Sequence, residues 1–313
     1  MQLLMTKLQI LICSKDRIES LTNLLQTLAI NYSKHLSLDV SILLVDASVE
    51  PYDLKSLELI AHPLILTAVR CKRNGVVAAR NIALINKDPS NDFFVFIDDD
   101  EFPSAGWLDA LVFKAKTGKF LGVGGPVHPS FPKHHSKTYL NPFYLHQINL
   151  SNGKISSLAT GNLLLSNRLF HTTEFFPFFD ERLNFSGGED AEFTQRMIKI
   201  FGDSALGWSE EALVFESIPN ERISILWLLN RAFNLGKSTV ALKKILRELP
   251  LLRLLSSFLN FSRSIAGFWK HILKGNWKYA IVYMLYMQAV AIGQLAGLLG
   301  FKSNQYRINS SDV

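Results

Sequence analysis

Short apolar runs that each end on a polar residue, separated by stretches of helical period, fill the first hundred residues and leave few architectures open. Residues 8–13 (LQILIC) give way to Ser14 and Asp16, and Ile18, Leu21, Leu24, Leu25 and Leu28 then recur at helical spacing. The unit repeats: residues 40–45 are apolar and end at Asp46, residues 64–69 form a third run, residues 75–85 have helical character, and residues 93–97 run directly into Asp98. This alternation predicts an α/β fold, a mainly parallel sheet with helices on both faces. Ligands of such sheets bind beyond the carboxyl ends of the strands, where Ser14, Asp46 and Asp98 all fall.

The segment FIDDDE (96–101) discharges three aspartates and a glutamate from an apolar strand. Carboxylates so close repel one another, and a divalent cation relieves that cost while keeping phosphate and water among its ligands. If the strand continues, Asp98 and Asp100 point the same way and form the natural pair; a solvated acidic turn is the alternative. In GGEDAEFTQR (187–196), two glycines precede Glu189 and Asp190 at an expected helix start. The carboxylates there could cap the helix or accept a proton from a hydroxyl brought close by the glycines. RNGVVAARN (73–81) sets Arg73, Arg80 and Asn81 at a loop-to-helix junction, suited to an anionic ligand or simply to a surface helix. Trp107 and Trp208 are expected to pack, with stacking on a sugar as the alternative. Residues 126–157, rich in Pro, His, Asn and Lys, read as a long excursion; residues 158–166 read as a strand, and residues 189–201 as a helix followed by Gly202.

Charge divides the chain. Residues 1–220 hold 20 Lys and Arg against 24 Asp and Glu, whereas residues 221–302 hold 12 against 2. Trp, Phe and long apolar runs accompany the basic surplus, which favours an anionic membrane surface and argues against nucleic acid. Residues 280–301 are uncharged and long enough to cross a bilayer, flanked by Lys270, Lys274 and Lys278 before and Lys302 after. Crossing the bilayer and lying in its surface are both open. Gly293 and Gly297, with Ala289 and Gly300, form a small-residue face suited to helix-mediated self-association. Residues 246–261, around Pro250, read as an interfacial helix. Cys13 and Cys71 fit a reducing compartment. The first residues lack the pattern of a secretory signal, so the amino-terminal part is expected in the cytosol.

Seven segments in this order, CSKDR (13–17), LLVDAS (43–48), RNGVVAARN, FIDDDE, TGNLLLS (160–166), GGEDAEFTQR and ESIPNERIS (216–224), together with WLLNRAFNLG (227–236), resemble the inverting glycosyltransferases of family 2, and within them the succinoglycan-type glucosyltransferases. The resemblance covers roughly residues 8–236 and implies the GT-A fold, Rossmann-like with flanking helices, for a catalytic domain over residues 1–236; the basic, apolar composition of residues 237–313 marks a helical membrane-associated region. It implies transfer of a sugar from a nucleotide-diphosphate donor, with UDP favoured, to a lipid-linked saccharide in exopolysaccharide or lipopolysaccharide assembly, at the cytoplasmic face of the inner membrane.

It further implies Asp190 as the general base, Ser14, Arg17, Asp46, Arg80 and Asp98 on the donor, and Gly161, Asn162 and Glu189 on the acceptor. Asp98 and Asp100 become the metal-binding D-x-D pair for Mg²⁺ or Mn²⁺. Many relatives carry a histidine where Glu216 stands here, so Glu216 either joins the metal ligands or holds Arg222 in an ion pair. A non-catalytic nucleotide-sugar-binding scaffold and a metal-dependent phosphohydrolase are the competing readings.

Overall fold

In the computed structural model, residues 5–32, 38–151, 153–172, 175–176, 178–248 and 250–301 are described, without the side chains of 250–254 and 256. Lys302, expected to flank the last apolar helix, lies outside them. The chain divides into two compact units.

The first unit comprises residues 1–130, 145–180 and 190–217. It starts as β1 (Thr6–Ser14), α1 (Ile18–Tyr32), β2 (Leu38–Asp46), α2 (Leu54–Ala61), β3 (Ile65–Arg70), α3 (Val76–Asn86) and β4 (Phe93–Asp98), the alternation the apolar runs predict. Next come β5 (Glu101–Pro103), α4 (Trp107–Gly118), β6 (Gly122–Gly124) and β7 (Val127–Ser130). The unit resumes with the hairpin β8 (Asn149–Ser151) and β9 (Lys154–Ser157), then β10 (Asn162–Ser166), most of α5 (Glu189–Phe201), β11 (Leu206–Trp208) and β12 (Val214–Ser217).

The main sheet has the order β11-β6-β10-β4-β1-β2-β3, and β10 alone runs against its neighbours. Opposed pairing sets Asn162 at the start of β10 beside Ile97 at the end of β4, so β10 enters the sheet where β1, β2 and β4 leave it. A smaller sheet, β5-β12-β7, stands apart. Alternation along β4 sorts the core: Val95 and Ile97 pack with Leu24 and Leu25 of α1 and Leu111 of α4, while Phe94 and Phe96 pack with Leu84 of α3 and Phe193 of α5. Both faces are therefore dry, as a mainly parallel sheet requires.

Two expectations are refined. The excursion at 126–157 is not unstructured, because β7 finds its partner β12 some ninety residues away, a pairing that local pattern cannot reveal. The strand expected over 158–166 is confined to Asn162–Ser166.

The second unit comprises residues 131–144, 181–189 and 218–313. Its long helices are α6 (Ile225–Ile245), α7 (Pro250–Leu273) and α8 (Trp277–Leu298). Pro250 stands at the first helical position, where its missing N–H costs nothing. α8 is long and apolar enough to cross a membrane by length and composition, with a mean hydropathy of 1.5, and a third of that window is buried within the chain.

The small-residue face of α8 is occupied. A Cβ on Gly293 would lie 2.0 Å from the Phe233 carbonyl oxygen of α6, and one on Gly236 would lie 2.2 Å from that of Val290. Gly300 belongs to no packing face: it follows the last turn at φ +98° and ends the helix, with Phe301 N–H bonded to the Ala296 carbonyl.

Candidate active site

Strand register delivers the first polar groups. Ser14 lies opposite Asp46 on β1 and β2, and Cys13 lies opposite Asp98 on β1 and β4. The loops after β1 and β2 are laced together: Tyr52 Oη is 2.9 Å from Ser14 Oγ and accepts the Arg17 N–H, while Asp16, at φ +55°, accepts the Val49 N–H through Oδ1.

Asp46 is 4% exposed and takes hydrogen bonds from Ser48 N–H (2.9 Å), Tyr52 N–H (3.1 Å) and Arg70 Nη1 (2.6 Å). Burial alone would raise its pKa, but these donors hold the carboxyl below the ordinary range. Its oxygens are thus engaged within the protein, and it shapes the loop after β2.

The acidic strand end departs from the expected alternation. β4 stops at Asp98, residues 99–100 turn, and β5 starts at Glu101, so the parity that paired Asp98 with Asp100 does not extend past the strand. The turn is closed by Glu101, whose Oε2 accepts the Asp98 N–H at 2.9 Å. Asp99, given no role from the sequence, points inward, accepting Ser14 Oγ at 2.7 Å and Arg17 Nη1 at 3.0 Å. The same Arg17 nitrogen is 3.0 Å from Asp100 Oδ2. Burial pushes the Asp99 pKa up to about 6 against the pull of Arg17, and burial with the charges of Asp98, Asp100 and Glu216 pushes that of Glu101 well above the carboxylate range. Gly161 makes room for Glu101, since a Cβ there would lie 2.4 Å from Oε1.

On the other side of Asp98 stands Arg80 of α3, its side chain 8% exposed and Nη2 3.4 Å from Asp98 Oδ1. Asp190, at the second position of α5, accepts the Ala191 N–H at 2.7 Å. Burial raises its pKa, Arg80 opposes that rise and Asp98 adds to it. Asp98, about half exposed, thus lies within charge range of both Arg17 and Asp190. Arg17, Arg80, Asp98, Asp99, Asp100 and Asp190 share one charged neighbourhood.

Other residues named from the sequence are placed elsewhere. Asn162 is 1% exposed; its Nδ2 donates to the carbonyls of Pro126 and Ala212, and its Oδ1 accepts Trp107 Nε1–H. No polar atom of that amide is left over for a ligand. Trp107, 2% exposed, is a core residue, and Trp208 lies over Gly124. Asn81 bonds reciprocally to the backbone of Phe179. Glu189, first in α5, is buried and belongs to the second unit. In that unit, Arg222 lies over the Trp227 ring.

A cation of the Mg²⁺ or Mn²⁺ type takes one or two carboxylates and completes its shell with phosphate and water. Asp98 and Asp100 supply that number, and the neighbouring carboxylate charges, which add to the burial that lifts Asp99 and Glu101, are what a cation would offset. Among the described residues, no group of three or more His, Cys, Asp or Glu is gathered as a ligand cage. The rim therefore fits a cation that arrives with a diphosphate.

Over 177 residues the chain is 32% identical to the succinoglycan biosynthesis protein ExoM of Rhizobium meliloti (strain 1021), covering 56% of this chain and 55% of that protein. The chain thus spans about half the length of the curated relative it matches. Among solved structures it is similar to the mannosyltransferase PcManGT from Pyrobaculum calidifontis in complex with GDP-Man and Mn²⁺, with a TM-score of 0.60 and 17% identity over 93% of this chain and 87% of that one. It is also similar to S. aureus TarS 1–349 in complex with UDP-GlcNAc, with a TM-score of 0.51 and 12% identity over 93% and 91% of the two chains. At these identities the structural likeness establishes the fold. No protein-family model matches. The GT-A fold and the resemblance to family 2-like glycosyltransferases of the succinoglycan type, both read from the sequence, are borne out.

Proposed function

We propose that the chain is an inverting glycosyltransferase that moves a sugar from a nucleotide-diphosphate donor, a UDP-sugar by the weight of the resemblance, to a hydroxyl of a lipid-linked saccharide in cell-surface polysaccharide assembly. The observation that carries this reading is the Arg80, Asp98 and Asp190 arrangement at the carboxyl rim of a GT-A sheet, with Arg17 and Asp100 beside it. The likeness to a succinoglycan biosynthesis protein, and to transferases solved with GDP-Man and UDP-GlcNAc, supports the donor class. Residues 1–236 do the chemistry and residues 237–313 hold the enzyme at the cytoplasmic face of the inner membrane.

Asp190 accepts the proton of the acceptor hydroxyl as that oxygen attacks the anomeric carbon from the face opposite the diphosphate. The bond from the anomeric carbon to the diphosphate oxygen breaks, and one displacement inverts the centre. Burial raises the Asp190 pKa, which makes its carboxylate a stronger base than one at the surface, and Arg80 opposes that rise. Asp98 and Asp100 would hold a divalent cation, which would supply charge neutralisation of the leaving diphosphate. Arg17 and Arg80 offer it further positive charge, Ser14 and Asp46 keep the loops around the donor in shape, and Gly161 flanks the acceptor side. Glu216 and the engaged amide of Asn162 receive no direct role.

Base catalysis contributes about 10²–10⁴-fold. Asp190→Asn is therefore expected to lose transfer to that extent, with nucleotide-sugar and Mn²⁺ still bound in calorimetry, while Asp100→Asn weakens Mn²⁺ binding. Normal transfer by Asp190→Asn, nucleotide release that ignores a lipid-linked acceptor, or donor binding with no turnover would each overturn the reading, the last two in favour of a phosphohydrolase and a scaffold.

A further inference from the structure

α7 is built inside out. The residues of α7 turned toward α8 are small or polar: Ser257, Asn260, Ser264, Gly267 and His271, at alternating steps of three and four. Ser257 and Ser264 are buried, Asn260 Nδ2 donates to Gln294 Oε1 at 3.1 Å, a Cβ on Gly267 would lie 2.1 Å from the Tyr283 ring, and His271 lies edge-on to Tyr279 at 4.5 Å. The opposite side of α7 exposes Phe258, Leu259, Phe261, Ile265, Trp269 and Leu273. The outward stripe of α8 carries Ile281, Leu285, Ile292, Leu295 and Leu299, with the half-buried Gln288 set among them. In water this arrangement leaves the apolar surface wet and buries polar groups; small-residue and amide contacts between helices with apolar exteriors suit a lipid solvent.

Charge fixes the orientation. Arg263 and Lys270 are exposed along one flank of the apolar side of α7, and Lys274, in the turn just after it, is exposed as well. A basic row beside an apolar row is what a helix in the plane of an anionic bilayer needs, with chains below and headgroups alongside. A helix crossing the bilayer would carry Arg263, near its middle, into the hydrocarbon. The turn after α7 returns the chain along it, so α8 shares its orientation.

We infer that the α7–α8 hairpin docks flat on an anionic lipid bilayer, with the Phe258, Ile265 and Trp269 side of α7 in the acyl layer and Arg263, Lys270 and Lys274 at the headgroups. This rests on the membrane placement proposed above and not on the sugar chemistry, and it is read without donor or acceptor, so its failure leaves transfer untouched.

The test is flotation of the full chain with phosphatidylcholine vesicles containing or lacking phosphatidylglycerol. Binding is expected to need phosphatidylglycerol and to weaken at least tenfold in Phe258→Glu/Ile265→Glu, whereas Phe113→Glu, at an exposed site on α4, binds as wild type. Acyl-chain bromination is expected to quench the Trp fluorescence of wild type more than that of Trp269→Phe. Lys274→Cys, with Cys13 and Cys71 changed to Ser, is expected to resist an impermeant maleimide in intact bacterial spheroplasts and to react after lysis. Labelling before lysis would show a crossing hairpin and overturn flat docking. Equal binding to both vesicles, or a dimer that Phe258→Glu/Ile265→Glu dissolves in a chain that ignores vesicles, would overturn the lipid assignment.

Discussion

Gly161 and Glu101 share one space: the carboxyl of Glu101 occupies the volume that any side chain at position 161 would need, with Oε1 2.4 Å from where a Cβ would stand. Glu101 in turn holds the Asp98 amide, so this pair sets the exit angle of the acidic strand end.

Gly161→Ala is expected to displace that carboxyl and destabilise the protein by about 1–3 kcal/mol, as overpacking does, with a parallel loss of nucleotide-sugar affinity in calorimetry. Burial pushes the Glu101 carboxyl upward, and Glu101→Gln, which keeps an oxygen for the Asp98 N–H, should leave the melting temperature within a degree or two of wild type, about the reach of a few tenths of a kcal/mol in a domain this size. A large drop for Glu101→Gln would mean that the buried carboxyl is ionised.

Asn162→Ala strips three hydrogen bonds from a buried site. Leaving the Trp107 N–H and two carbonyls without that amide should cost about 2–4 kcal/mol in urea unfolding, several times a single neutral bond. If Asn162 instead binds the acceptor, stability holds and the KM for acceptor alone rises.

Asp46 gives a pH signature. Its pKa is depressed in the folded protein, so its contribution to stability is present above the unfolded value of 3.8 and disappears as pH falls through the lower, folded value. Asp46→Asn is expected to be about 2 kcal/mol less stable than wild type at pH 7, the scale of a hydrogen bond to a charged group. That gap should close as denaturation curves are taken down through pH 3; a gap that widens in acid would reverse the assignment.

Gly236 and Gly293 let α6 and α8 touch backbone to backbone. Gly293→Ala pushes a methyl group onto the Phe233 carbonyl, and limited proteolysis should open residues 225–298 faster, in keeping with a loss of about 1–3 kcal/mol. Ile292→Ala, at an exposed site on the same helix, serves as the comparison and should digest as wild type.

Most of the sheet was legible because alternation along a strand is a local property: Phe94 and Phe96 part from Val95 and Ile97 as period two demands. The same rule misplaced the acids. It assumed that the strand runs through Asp100, and what stops the strand is the side chain of Glu101 reaching back to Asp98, a contact that no periodicity encodes. Asp99 was passed over for that reason. Motif order brought Arg17, Arg80, Asp98 and Asp190 to one rim, but it also carried Asn162 along, whose amide is committed to Trp107 and two carbonyls. The glycines of α8 were visible as a row; that Gly236 of α6 fills it could be known only once the helices were packed.

The clamp at Asn162 has one last consequence. By tying Pro126 to the strand that begins β10, it seals the neck of the loop region lying between them. The hairpin β8–β9 hangs from that neck, with β8 exposed and β9 resting on the core through Ile155, so β8 can vary in sequence while the registers of β4, β6 and β10 hold. An excursion closed off in this way can change in sequence without rebuilding the sheet that carries the acidic strand end.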